Sequence, residues 1–99
     1  MSRYIALLAL LVSLLVPATA YAEDAEWRSD PPKQGLAGFS LCTGEASAEG
    51  HHYKNVNYID NEIIGNCDRY AKHDVALWFL YRHGITIDPA SVKVTVSRP

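Results

Sequence analysis

Two cysteines constrain the fold of this 99-residue chain more than any other pair of residues. Cys42 and Cys67 are the only thiols, and a bridge between them would close a loop of about 25 residues and stabilise the fold by roughly 3 kcal/mol. An intermolecular disulfide and a metal-binding thiol pair are the alternatives, but a structural zinc site needs four clustered ligands. We therefore predict a Cys42–Cys67 disulfide, which requires an oxidising compartment.

The N-terminus predicts export to such a compartment. Arg3 precedes an apolar run over residues 5–16, and a proline and small residues follow it, an order typical of a secretory signal peptide spanning residues 1–22. The apolar run of about twelve residues is too short to remain in a bilayer as a spanning helix. We expect cleavage after Ala22, or after Ala20, and an exported protein, periplasmic or extracellular, with no stable membrane span.

Cleavage after Ala22 would leave the 77 residues of 23–99, which is the size of one small domain. They carry eleven acidic side chains against eight lysines and arginines, a formal net charge of −3. Because phosphate binding requires a concentrated basic face, nucleic acid is not an expected partner.

The first part of this chain is acidic and rich in turn residues. Residues 23–35 predict a solvated N-terminal arm that contains two prolines, and residues 36–99 predict a single globular domain. Residues 36–42 have core character, either as a short strand or as one helical turn. Residues 43–57 predict a polar, turn-rich loop.

A helical periodicity covers residues 58–83. Apolar side chains recur on one broad face that includes Cys67, Asn57 is an N-cap candidate, and Gly84 follows two basic residues as a helix terminator. A disulfide at Cys67 would therefore attach residues 36–42 to the buried face of this helix.

The C-terminal residues predict a strand. Residues 92–97 alternate between valine and polar side chains, and residues 85–87 are a shorter candidate to pair with them. The expected fold class is α+β, with one long amphipathic helix, continuous or broken, on a small antiparallel sheet with a single disulfide.

Asp74 interrupts the apolar face of the predicted helix. Since an unpaired buried carboxylate is costly, three interpretations are open. In the first, the helix breaks there and Asp74 caps a second helix, or it kinks and exposes the side chain. In the second, Asp74 pairs with a lysine or arginine, and in the third it works as an acid, a base or a ligand.

Residues 75–81 (VALWFLY) are uniformly apolar, and Phe79 and Leu80 are predicted to point away from the main helical face. Either they are buried within the chain or they meet a protein partner; contact with a membrane surface is disfavoured by the weakly cationic helix. The partner-binding candidates are Tyr70, Trp78, Phe79, Leu80 and Tyr81.

Titratable side chains suggest sensitivity to pH rather than catalysis. The pH-sensitive candidates are His51, His52, His73, His83 and Asp74. No two histidines have the i, i+4 spacing of a helical zinc site, so no metal and no cofactor are predicted. The chain also lacks the G-x-S-x-G elbow and a phosphate-binding glycine loop, so an enzyme is not expected.

These observations predict a small exported module that binds another protein, such as an inhibitor, an immunity-type factor or an accessory of an envelope assembly. A second copy of the chain is one candidate partner. The alternative is a periplasmic chaperone that responds to pH or stress, and the third candidate is a small hydrolase.

Overall fold

The computed structural model describes residues 23–99, and the predicted signal peptide lies outside the described residues. Four strands and one α-helix form the fold, with short 3₁₀ helices at Asn61–Asn66 and Pro89–Ser91. The elements are β1 (Glu23–Arg28), β2 (Phe39–Ala48), β3 (His51–Asp60), α1 (Cys67–His83) and β4 (Lys93–Ser97). One helix on a small sheet confirms the predicted α+β class.

The four strands form one mixed sheet in the order β1-β3-β2-β4. β2 pairs antiparallel with both β3 and β4, whereas β1 pairs parallel with β3, so the sheet is not purely antiparallel as expected. The turn between β2 and β3 is made by Glu49 and Gly50, both with positive φ, as a type I′ hairpin turn requires. The predicted N-terminal arm thus contains an edge strand, and the predicted loop over residues 43–57 is wrong.

Small side chains on β2 let α1 approach the sheet. Ser40, Cys42, Gly44 and Ala46 alternate with larger residues and lie under the helix, which contacts β2, β3 and β4. The buried face of this strand carries none of the Val, Ile and aromatic residues that mark strands in sequence, which explains why residues 43–48 predict a loop.

The helix is shorter than predicted and is not broken at Asp74. β3 continues through residues 58–60, so Asn57 is a strand residue and not an N-cap. Asp60 instead caps the following 3₁₀ helix by accepting a hydrogen bond from the Glu62 N–H. The C-terminus is confirmed: Gly84 adopts the left-handed conformation, and its N–H donates to the Leu80 carbonyl at 2.9 Å.

The buried face of α1 is rotated from the predicted one. Cys67, Ala71, Val75 and Phe79 are its buried residues, one every four positions, and Phe79 is fully buried. Asp74 is exposed, so the prediction that it lies at the centre of the apolar face is wrong. The predicted face also relied on apolar residues within 58–66, and these residues are not part of the helix.

The disulfide prediction is confirmed. Cys42 of β2 bonds to Cys67 in the first turn of α1, and both residues are buried with Ile59 and Ala71. The second core cluster contains Ala46, Tyr53, Val75, Phe79 and Val92. The predicted C-terminal strand is β4, whereas residues 85–87 pack on the core without forming a strand.

Candidate functional site

A groove runs along one side of α1, between the helix and β3. Its first part, about 230 Å³, is lined by Ile63, Tyr70 and Asp74 over the floor residues Asn57 and Ile59. Its second part, about 420 Å³, is lined by Asp74, Leu77, Trp78, Tyr81, Arg82 and Tyr53. Because Asp74 lines both parts, they adjoin and form one groove.

A chain of side-chain hydrogen bonds on β3 connects the two parts of the groove. The Asn57 amide donates to the Asn55 side-chain oxygen, and the Asn55 amide donates to the Tyr53 hydroxyl at 3.1 Å. Since buried amides need such partners, this chain fixes the position of the Tyr53 ring. Trp78 stacks on that ring at a centroid distance of 4.4 Å. The groove therefore has a rigid aromatic wall.

Asp74 is the charged group at the middle of the groove. It is exposed and forms no ion pair within residues 23–99, whereas Lys72 on the same helix pairs with Asp68. Its carboxylate is thus open to a cation from outside the chain. Of the three interpretations offered by the sequence, the cap and the internal ion pair are wrong.

Three of the five partner-binding candidates line this groove. Tyr70 is 47% exposed and Tyr81 is 81% exposed, while Trp78 is partly buried. Leu80 is also exposed but lies outside both parts of the groove. Phe79 has no exposed surface, so the prediction that it meets a partner is wrong.

A second cluster forms where β1 and β3 begin and α1 ends. The His83 Nε2 lies 2.7 Å from one carboxylate oxygen of Glu23, and Arg82 donates to the other oxygen at 3.1 Å. The His51 and His83 rings stack at 3.7 Å, and the Trp78 ring meets His83 edge-on at 5.0 Å. The Nδ1 atom of His51 is buried without a hydrogen-bond partner among the described residues.

Hydrogen bonds from this cluster outweigh the effect of desolvation on Glu23. Partial burial raises the pKa of the carboxyl, but the hydrogen bonds from His83 and Arg82 together hold that pKa below its usual range. Glu23 is therefore a carboxylate at neutral pH.

The two remaining histidines lie elsewhere. His52 faces the side of the sheet away from the helix, with its ring nitrogens 2.9 Å from Asp24 and 3.1 Å from Glu45. The hydrogen bond to Asp24 raises the pKa of His52; desolvation opposes this rise and Glu45 adds to it. His73 is exposed on α1. The structure thus brings together only His51 and His83 of the predicted pH-sensitive set.

Sequence reasoning missed Glu23, Tyr53, Asn55 and Asn57 as site residues. No local spacing marks Glu23, because Glu23 and His83 are 60 residues apart and meet only through the sheet register. The alternation of Tyr53, Asn55 and Asn57 is the one local signal for the other three, but the polar composition of residues 43–57 predicts a loop over them.

No protein-family model, no curated protein and no solved structure matches this chain. Within residues 23–99, α1 and the shorter helical segments lack the length and apolar character needed to cross a membrane.

Proposed function

We propose that this chain is an exported protein that binds another protein through the groove between α1 and β3. The observation that carries the proposal is that Tyr70, Trp78 and Tyr81 line one groove with the unpaired carboxylate of Asp74 at its middle. Aromatic side chains anchor protein interfaces because they bury a large area at a small cost in conformational entropy.

Charge and dimensions define the expected partner. The chain from residue 23 onward has a formal net charge of −3, and Asp74 adds a local negative charge in the groove. The helix spans roughly 16 Å between Tyr70 and Tyr81 at about 1.5 Å per residue, a length that about five extended residues would match. The proposed occupant is a short segment with a lysine or arginine flanked by apolar or aromatic side chains.

The disulfide supports the location of this activity outside the cytoplasm. Cys42 and Cys67 form a buried bridge, and such bridges persist in oxidising compartments. The bridge and the signal peptide expected at residues 1–22 together support export. We propose that the protein resides in the periplasm.

Selection from a displayed library of short random peptides on the oxidised 23–99 chain tests the proposal. We expect enriched peptides to carry a basic residue beside apolar ones, and Asp74→Asn and Tyr81→Ala each to weaken their binding about tenfold, a change of roughly 1.4 kcal/mol. Leu80→Ala is the matched control, since Leu80 is exposed on the same helix but outside the groove.

Two results would overturn the proposal. One is enrichment of peptides whose binding does not change in the Asp74 and Tyr81 variants. The other is a stable dimer in solution that Tyr81→Ala dissociates, which would make a second copy of the chain the occupant of the groove.

A further inference from the structure

We propose that Glu23, His51 and His83 form a binding site for a divalent transition-metal ion. Candidate ligand atoms of the three residues all lie within 4.8 Å of one another. Zinc binds nitrogen and oxygen ligands at about 2.0–2.2 Å in tetrahedral geometry, which places neighbouring ligand atoms about 3.3–3.6 Å apart. The ligand atoms of the cluster must therefore converge by about 1 Å to hold one ion.

An independent observation also points to a ligand. The Nδ1 atom of His51 is buried and has no hydrogen-bond partner among the described residues. Leaving a buried polar atom without a partner is costly, so such an atom in a native fold calls for an explanation, and a bound ion is one. A metal ion bound at this nitrogen would remove the penalty.

The donor set selects the class of metal. Two imidazoles and one carboxylate suit zinc and copper, whereas magnesium and calcium prefer oxygen ligands. Glu23 supplies a carboxylate oxygen that lies 2.7 Å from the His83 Nε2. Three side-chain ligands would leave a fourth coordination position for water or a further donor.

The fold holds the three residues on separate elements. Glu23 and His51 are paired in register at the starts of β1 and β3, and His83 is the last residue of α1. Trp78 packs against His83 and fixes that side of the cluster. The His51 and His83 rings stack with their planes 20° apart, so their in-plane lone pairs run nearly parallel, and binding of one ion requires one ring to turn.

The expected signal-peptide cleavage site determines how many donors Glu23 offers to the metal. Cleavage after Ala22 would make Glu23 the first residue and would give it a free α-amino group, a fourth donor on a residue that already supplies the carboxylate. Cleavage after Ala20 would leave this nitrogen in a peptide bond. We therefore expect the chain that begins at Glu23 to bind copper more tightly than the chain that begins at Tyr21.

Titration of the oxidised, EDTA-treated chain 23–99 with Cu²⁺ and Zn²⁺ tests the proposal. We expect one ion per chain by calorimetry, and quenching of Trp78 by Cu²⁺ in a Trp27→Phe variant, because Trp78 contacts His83. His51→Gln, His83→Gln and Glu23→Gln should each lower the affinity about tenfold or more. Mg²⁺ and Ca²⁺ should not bind.

The exposed His73 and the ion-paired His52 give matched controls, and His73→Gln and His52→Gln should leave metal affinity unchanged. Circular dichroism and the thermal midpoint of each variant identify loss of folding. Because Glu23 is the first residue of an edge strand, Glu23→Gln should stay folded and still test the site if a histidine variant unfolds. Absence of binding at micromolar metal, or binding that survives all three ligand substitutions, would overturn the proposal. Neither result would bear on the groove, whose peptide binding needs no metal.

Discussion

Gly44 of β2 and Ala71 of α1 lie so close that a Cβ atom at position 44 would be 2.9 Å from the Ala71 Cβ. It would also lie 3.2 Å from a methyl carbon of Val75. The helix therefore rests directly on the backbone of β2 at this point. The disulfide at Cys42 lies two residues away on the same face of the strand.

Gly44→Ala should lower the free energy of unfolding by about 1–3 kcal/mol, because the added methyl group overpacks the interface between α1 and β2. Urea denaturation of the oxidised chain measures the effect. Gly65→Ala is the matched control, since a Cβ at Gly65 meets no atom within 4 Å. Equal stability of the two variants would contradict the close approach.

Removal of the disulfide should lower stability by roughly 3 kcal/mol, because the bridge closes a loop of about 25 residues in the unfolded chain. Urea denaturation with and without a reductant gives the difference, and the double variant with Cys42→Ala and Cys67→Ala gives the same comparison without a redox reagent. A midpoint that does not respond to reductant would show that the bridge contributes nothing to the fold.

His52 should make part of the stability depend on pH. The hydrogen bond to Asp24, with a further contribution from Glu45, raises the pKa of His52 above its unfolded value of about 6.5. Its stabilising contribution is then fully present below the unfolded pKa and is lost as the pH rises through the folded pKa. Asp24 lies on β1, so loss of the proton from His52 also weakens the attachment of this edge strand.

Thermal midpoints between pH 5 and 9, measured with EDTA, should therefore fall more steeply in the native chain than in His52→Gln. An NMR titration of the four histidines gives the pKa directly. A pKa of His52 at or below its unfolded value of about 6.5 would contradict the two carboxylate contacts.

Local signals in the sequence predicted the parts of the fold that depend on local chemistry. The end of α1 follows from Gly84, β4 from alternating valines, and the bridge from a single pair of cysteines. The second half of β2 was missed because the buried face of this strand carries Ser40, Gly44 and other small residues, whose burial depends on the helix above them. β3 was missed because its large residues, such as Tyr53 and Ile59, alternate with histidines and asparagines typical of a loop. Periodicity alone cannot supply that information.

The candidate sites were predictable only in part, for the same reason. Tyr70 and Tyr81 could be identified because both belong to one amphipathic helix. The contact between Glu23 and His83 depends on the parallel register of β1 with β3, and no spacing within the sequence encodes that register. Phe79 is buried and its neighbour Leu80 is exposed, and this difference likewise depends on which side of α1 meets the sheet.

Substitutions of Phe79 and Tyr81 should distinguish an effect on stability from an effect on peptide binding. Phe79 is fully buried, so Phe79→Ala removes core packing and should lower the free energy of unfolding by about 3–5 kcal/mol. Tyr81 is 81% exposed, and Tyr81→Ala should change stability by less than about 0.5 kcal/mol. Urea denaturation and peptide binding are measured on both variants. Phe79→Ala should lose stability, whereas Tyr81→Ala should keep the fold and lose affinity for the peptide. A Phe79→Ala variant as stable as the native chain would mean that α1 presents a different face to the sheet, and the assignment of the groove would fail with it.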